Sequence, residues 1–347
     1  MVDLSYGYAN ARVKGMKSGL LDEDTLRGLF SVNTLSEYVD QLENTAYKQS
    51  FVDASTREQG ITLVMAALRM EFDNTIAKVK RIVPAKDKDR LSSLVSLWEL
   101  KPLQVILAAK ASKLPIDPLY IDFLVGSGKD KAKALIEAPD FPAALKALSK
   151  VGYPELSLKT CAQFTRTKDF RVALRTIGRY YYENLFEFAQ KEPDRQIQQI
   201  LQSELNFFNT STALRLKNAG LTEHKILKEL VRPSVASLAP QIAKCANTTA
   251  AVSLIEQGFR MPGLSHAYQK NKNIWELEIL LEQRMFLHIL RNTRMSVLSL
   301  GAIFGYIFLK RREIENLRAI ALSMQFPSRD AFRKSIYTLN GDIGASR

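Results

Sequence analysis

Along most of this chain apolar residues return at steps of three and four, the period of an amphipathic helix, and not at the steps of two that mark a strand. The clearest stretch is 196–221, where Ile197, Ile200, Leu201, Leu205 and Phe208 form one stripe. Pro193 and Asp194 stand where a helix starts, and Gly220 where one stops. The same period predicts a helix over 57–83, with Ile61, Val64, Met65, Leu68, Phe72, Ile76 and Val79 on one face. Further long helices are expected over 90–112, 158–190, 274–294 and 296–324, and an opening helix over 6–19. Shorter ones are expected over 130–138, 222–231, 234–244 and 248–257. The fold class is therefore all-α.

The opening stretch of the third group recurs. RLSSLVSLWELKPLQVILAAKASKL at 90–114 and VLSLGAIFGYIFLKRREIENLRAIALSM at 297–324 resemble it, and YGYANARVKGMKSGLL at 6–21 is a truncated copy. With Asn10, Pro102, Asn209 and Asn316 taken as matching positions, the steps are 92, 107 and 107 residues. A second marker keeps the period: LENTAY, LSKVGY and LIEQGF end at Tyr47, Tyr153 and Phe259, two steps of 106. Phe72, Tyr180 and Phe286 hold comparable places on the long helices. Repetition at a fixed period means repeated packing units. Three similar helical modules are expected, over 1–89, 90–193 and 194–295, followed by a closing helix in 296–347. The first copy is cut short, so the closing helix is expected to pack on the first module. Pro102, within Leu100-Lys101-Pro102-Leu103, is expected to kink the second copy.

Composition supports a folded chain. Of 347 residues, 46% are hydrophobic, enough for sizeable cores and too many for a disordered chain. That length suits two or three domains. Lys and Arg exceed Asp and Glu by 13, a balance that suits nucleic acid, an anionic membrane surface or an acidic protein partner. The excess is spread over all modules, which weakens the nucleic-acid reading. Cys161 and Cys245 are 84 residues apart, and Met1–Asn10 lacks the basic end and apolar run of a secretory signal. Two reduced thiols in a cytosolic compartment are expected.

Candidate chemistry is sparse. GSGKDK at 126–131 lacks the hydroxyl residue after its lysine, and the preceding strand, that a phosphate loop needs, so Lys129 is expected in an ordinary loop. His224, His266 and His288 have no partner ligand at metal spacing. No nucleophile elbow, zinc-protease helix or catalytic carboxylate pair is present. No catalytic, cofactor-binding or metal-binding residue is expected, and no cofactor. IGRYYYENLFEF at 177–188 sets Tyr181, Leu185 and Phe188 on one stripe, with Tyr182 and Phe186 beside it, as in a helix wedged between neighbours. The most apolar run, 296–309, would rise only about 21 Å as a helix, short of the ~30 Å hydrocarbon layer, which argues against an integral membrane protein. Lys17, Lys110 and Lys217 sit near the ends of the three opening helices, with Arg12 and Arg215 close by. Cations are favourable at helix C-termini, and the same five residues are candidates for a partner-binding rim.

Several motifs carry a resemblance over essentially the whole chain. The Y-x-x-A-R-V-K-G-M-K-S-G-L-L opening, the L-x-x-T-x-Y tail at Leu42–Tyr47 and E-I-E-N-L-R at Glu313–Arg318 are similar to the C subunit of archaeal and bacterial A/V-type ATPases. The eukaryotic V-ATPase d subunit is the homologue of that protein. The resemblance implies a funnel-shaped helical socket of pseudo-threefold symmetry. It also implies seating on the cytoplasmic face of the proteolipid rotor ring, peripheral to the membrane, with stalk subunits D and F held above. Torque would pass through it between ion translocation and ATP synthesis or hydrolysis, with no catalysis of its own and no nucleic-acid partner. Two other classes suit the residues: an α-helical repeat scaffold for an unrelated protein, and a basic helical nucleic-acid-binding protein.

Overall fold

The computed structural model describes residues 4–114, 128–234, 237–294 and 298–327, with the short pieces 329, 332–333, 336–338 and 341–342. These residues are helical or connecting, apart from one two-residue antiparallel ladder that pairs Tyr337 with Asp342 and Thr338 with Gly341. The chain forms two compact units. One comprises Met1–Asn184 and Leu298–Phe332, the other Leu185–Val297 and Arg333–Arg347.

The first unit opens with α1 (Gly7–Lys17), α2 (Glu23–Ser31), α3 (Leu35–Glu43), α4 (Lys48–Ser55) and α5 (Gly60–Ile82). Asp22 starts α2 by accepting from the Thr25 N–H at 2.8 Å, and Thr34 does the same for α3 at the Glu37 N–H. Such caps satisfy N–H groups that have no partner inside the helix. Of the stripe expected on α5, Val64, Met65, Leu68, Phe72, Ile76 and Val79 are all buried, and Ile61 is half-buried.

The helix expected over 90–112 is broken. It consists of α6 (Lys88–Ser96), a 3-10 turn at Leu97–Glu99, and α7 (Leu100–Ala111). Pro102 has no N–H for the carbonyl four residues back, at Trp98, so the α-ladder is interrupted there. Among the described residues, the run Ala85–Ala111 alone has the length and hydropathy to cross a membrane. Its Leu91, Leu94, Leu103, Ile106 and Leu107 are fully buried inside the first unit. Helices α8 (Gly128–Glu137) and α9 (Phe141–Lys150) pack against α7. The first two residues of GSGKDK and both Pro115 and Pro118 lie outside the described residues.

A single helix over 158–190 is not formed. The segment is split into α10 (Pro154–Thr167) and α11 (Phe170–Lys191). Lys168 between them has φ 55°, a left-handed conformation that stops α10. Asp169 then accepts from the Arg171 N–H at 2.9 Å and starts the next helix. Helix α11 lies against α7, where Gln104 donates to the Leu174 carbonyl at 2.8 Å.

In the second unit, α12 (Arg195–Asn218) is capped by Asp194, which accepts from Gln196 and Ile197 N–H groups at 2.9 and 3.4 Å. Gly220 follows its end at φ 75°, a conformation costly for a residue with a Cβ. Helices α13 (Glu223–Glu229), α14 (Leu238–Lys244), α15 (Thr248–Phe259), α16 (Leu264–Asn271) and α17 (Ile274–Arg294) complete the unit. Its core joins Ala213, Leu214, Ile242, Val252, Ile255 and Leu281. Asn209 is buried and clamps Val231 twice, donating to its carbonyl and accepting from its N–H, both at 2.9 Å.

The last helix, α18 (Leu300–Ser323), returns to the first unit and packs along α5 and against α1 and α2. Ile303, Phe304, Ile307, Leu317, Ile320 and Ala321 are fully buried there. Trp98 stacks on Phe304 with ring centroids 5.4 Å apart.

Candidate functional site

The basic residues near the ends of the opening helices are in the last turns of α1, α7 and α12, where the orphan carbonyls of a helix favour cations. Their contacts differ. Arg12 is exposed on α1, and Lys17 is half-buried at its end. Lys110 is turned into its own unit, where its ammonium donates to the Ile136 carbonyl at 3.0 Å and to the Ala138 carbonyl. It thereby satisfies carbonyls at the end of α8. Arg215 forms a two-pronged ion pair with Glu278 of α17, its Nη2 donating at 2.7 Å. Lys217 is half-buried beside Cys245, whose thiol is pushed up by burial and drawn back by that lysine's charge. Arg12, Lys17 and Lys110 belong to the first unit, and Arg215 and Lys217 to the second.

Sequence spacing did not reveal the strongest polar cluster, which is buried where α18 meets α5. Lys310 and Glu313 are 2% and 5% exposed, and Glu71 is 9% exposed. The Lys310 ammonium donates to Glu313 Oε1 at 2.9 Å, lies 3.6 Å from Glu71 Oε1, and faces the Tyr47 ring at 4.0 Å from its centroid. Tyr47 donates its hydroxyl to Glu313 at 2.6 Å, and the Leu21 N–H reaches the other carboxylate oxygen at 2.5 Å. Ser50 donates to Glu71 at 3.2 Å. Burial, and then the Glu313 charge, raise the Tyr47 phenol well above its ordinary value, so it stays a donor. Both carboxylates are thus held by fixed partners. Tyr47 and Glu313 each belong to motifs visible in the sequence, but their meeting is a tertiary fact.

A second cluster lies within the first unit. Glu99, on the 3-10 turn, pairs with Lys131 at 2.5 Å and is hydrogen-bonded to Tyr153. Nearby Tyr181 and Tyr182 are buried and edge-on to one another, with Lys101 over both rings. The aromatic stretch at 177–188 thus contributes buried rings to packing.

The second unit holds an open cavity of about 430 Å³ between α12, α15 and α17. Asn206, Phe207, Phe259, Arg260, Leu281 and Arg284 are among its lining residues. Arg284 Nε donates to the Phe259 carbonyl at 3.0 Å and fixes the end of α15 against α17. His288 is exposed at the rim; His224 and His266 are exposed elsewhere. Among the described residues no three His, Cys, Asp or Glu side chains gather as a metal site. Buried ion pairs and hydrogen bonds lock helices together at these places.

Comparison with known proteins accords with this geometry. Residues 9–333 match the ATP synthase (C/AC39) subunit family. The chain is 26% identical over 319 residues to the C subunit of A-type ATP synthase from Desulfurococcus sp. (strain SY), covering 91% of this chain and 86% of that protein. It is 24% identical to the protein of the same description from Thermococcus kodakarensis, covering 91% and 85%. For the Thermoplasma volcanium protein the identity is 21% and the coverage 97% and 98%. With a match from residue 9 to residue 333, the chain belongs to the ATP synthase (C/AC39) subunit family.

Proposed function

We propose that this chain is the socket of the central stalk in a rotary A/V-type ATP synthase, joining the membrane rotor ring to the stalk subunits D and F. It is a non-catalytic C subunit of such an enzyme and part of a membrane-associated complex. The observation that carries this reading is the family match from residue 9 to residue 333, with relatives covered over most of their own length. In the socket reading the three modules, 1–89, 90–193 and 194–295, close by pseudo-threefold symmetry into a funnel. The helix of 296–347 completes the first. Torque passes between ion translocation and ATP synthesis or hydrolysis.

The packing supports a mechanical role. A part that transmits torque must not yield, and long close-packed helices are stiff. The Lys310–Glu313–Glu71 cluster and the Asn209 clamp add bonds that sliding between elements would break. The excess of 13 positive charges suits a peripheral place beside anionic headgroups on the cytoplasmic face, at about 1 kcal/mol for each lysine near the surface. Arg12, Lys17, Lys110, Arg215 and Lys217 are proposed to border a partner-facing mouth. Lys110 contributes there by fixing α8.

The test is affinity purification of the tagged chain from gently solubilised membranes. ATPase head subunits, D, F and the ring proteolipid should purify together with it. Recovery without them, or with an unrelated partner only, would sink the proposal.

A further inference from the structure

One side-chain set recurs where a module's tail meets an opening helix, and its third copy is incomplete. In the first copy Tyr47 donates to Glu313 at 2.6 Å, and Lys310 donates to the same carboxylate at 2.9 Å. In the second, Tyr153 is bonded to Glu99, and Lys131 pairs with Glu99 at 2.5 Å while standing 5.1 Å from the Tyr153 ring centroid. Glu99, Asn206 and Glu313 follow one another at steps of 107 residues, and Tyr47, Tyr153 and Phe259 at steps of 106. In the second unit the carboxylate has therefore become an amide and the phenol a phenyl. A cation is still present, since Arg284 reaches the Phe259 carbonyl. Asn206 and Phe259 instead line the open cavity of about 430 Å³.

None of the cavity's lining residues is acidic, although two arginines, Arg260 and Arg284, border it. An adjoining depression shares both arginines and likewise has no acidic residue in its lining. Guanidinium groups beside apolar walls favour an anion that can take two parallel hydrogen bonds. Phe207 and Leu281 supply apolar wall for the stem that carries it. The geometry points to a carboxylate supplied in trans: an Asp, Glu or C-terminal carboxylate on an apolar stretch of another subunit, seated between Arg284, Arg260 and Asn206. A polypeptide is the expected occupant because the other two copies close around a protein's own glutamate and tyrosine. The inference rests on the reading that the chain assembles with other subunits.

The experiment uses the assembled complex carrying Arg260→Lys, which sets a primary amine at the cavity rim. A zero-length carbodiimide then joins that amine to any carboxylate in contact. The expected product is an amide from position 260 to an acidic residue or C-terminus of another subunit, flanked by apolar residues and located by mass spectrometry. Adding Asn206→Glu with Phe259→Tyr restores the set within the chain. The cross-link should then fall by about tenfold, the weight of one charge-assisted hydrogen bond. Those two changes should leave the melting temperature of the isolated chain unchanged or raised. An assembled complex with no product at position 260, or with products only within this chain, overturns the inference. So does an undiminished cross-link in the restored variant, or a restored variant that unfolds, since the cavity would then not match the other two sets. Failure of the chain to assemble with ATPase subunits is a separate result, and it removes the function proposed above as well.

Discussion

Tyr47 and Glu313 are 266 residues apart in sequence and share a buried 2.6 Å hydrogen bond. Through it the tail of the first module and the last helix of the same unit hold one another. Phe at position 47 keeps the ring and removes only the hydroxyl, leaving a buried carboxylate oxygen short of a donor. Tyr47→Phe should cost about 1–3 kcal/mol, read as a lower midpoint of urea unfolding. Tyr153→Phe should cost less, because Tyr153 is only half-buried. Equal losses at the two positions would show that burial does not set the weight of the bond.

Lys310 is the cation between two buried carboxylates. In Lys310→Met, Glu71 and Glu313 face one another without it, and breaking such a buried arrangement should cost about 3–5 kcal/mol. Glu71→Gln added to that change removes one of the two charges and should recover part of the loss. The check is a double-mutant cycle by chemical denaturation; strict additivity would show that the two side chains are not coupled.

Acid should weaken the α18 surface through Glu315. Burial opposes its charge, but Arg311 at 3.1 Å and Arg312 at 3.3 Å, with the charges of Lys101 and Arg318, together outweigh that effect and hold the carboxyl below its ordinary 4.5. A depressed folded value means that the stabilisation is present above the unfolded value and is lost as pH falls through the folded one. The side chain is 32% exposed, so solvent screens the contribution. Glu315→Gln should lower stability at neutral pH, and the gap from the parent protein should close below pH 4.5. Thermal melts across that range measure it; a gap independent of pH would remove the ion pairs as its cause.

The opening-helix lysines should separate on charge reversal. Lys110→Glu places a carboxylate against the carbonyls of Ile136 and Ala138 and should lower the melting temperature. Lys17→Glu and Lys217→Glu reverse helix-end cations worth a few tenths to about 1 kcal/mol each, so their shifts should be smaller. Similar shifts for all three would return Lys110 to the status of an ordinary helix-end charge.

Helix existence was readable wherever an apolar stripe met its own punctuation. Asp194 and Gly220 act at the ends they mark. The break at Lys168 was hidden because lysine has no special claim on the left-handed region it occupies. Helix α16 has a short apolar face, mainly Leu264 and Tyr268, too little for periodicity to stand out. The 3-10 turn at Leu97–Glu99 followed from Pro102, although the proline gave the kink and not its form. At the candidate site, the positions of the five basic residues were visible, whereas their acceptors were not. Lys110 reaches carbonyls 26 and 28 residues away, and no local pattern encodes such a contact. Spacing did place Asn206 and Phe259 in register with Glu99 and Tyr153, but the cavity between them required the fold.

The return of α18 to the first unit imposes an order on synthesis. The ribosome releases α1 to α11, then the rest of the second unit's Leu185–Val297 segment, before the helix that covers α5 emerges. At 5–20 residues per second the delay is on the order of ten seconds. Throughout it, Glu71 lacks Lys310 and Tyr47 lacks Glu313, and the apolar face awaiting Phe304 and Ile307 has no cover. The nascent first unit is therefore a natural client for chaperones, and it matures only after the Leu185–Val297 segment of its neighbour has been made.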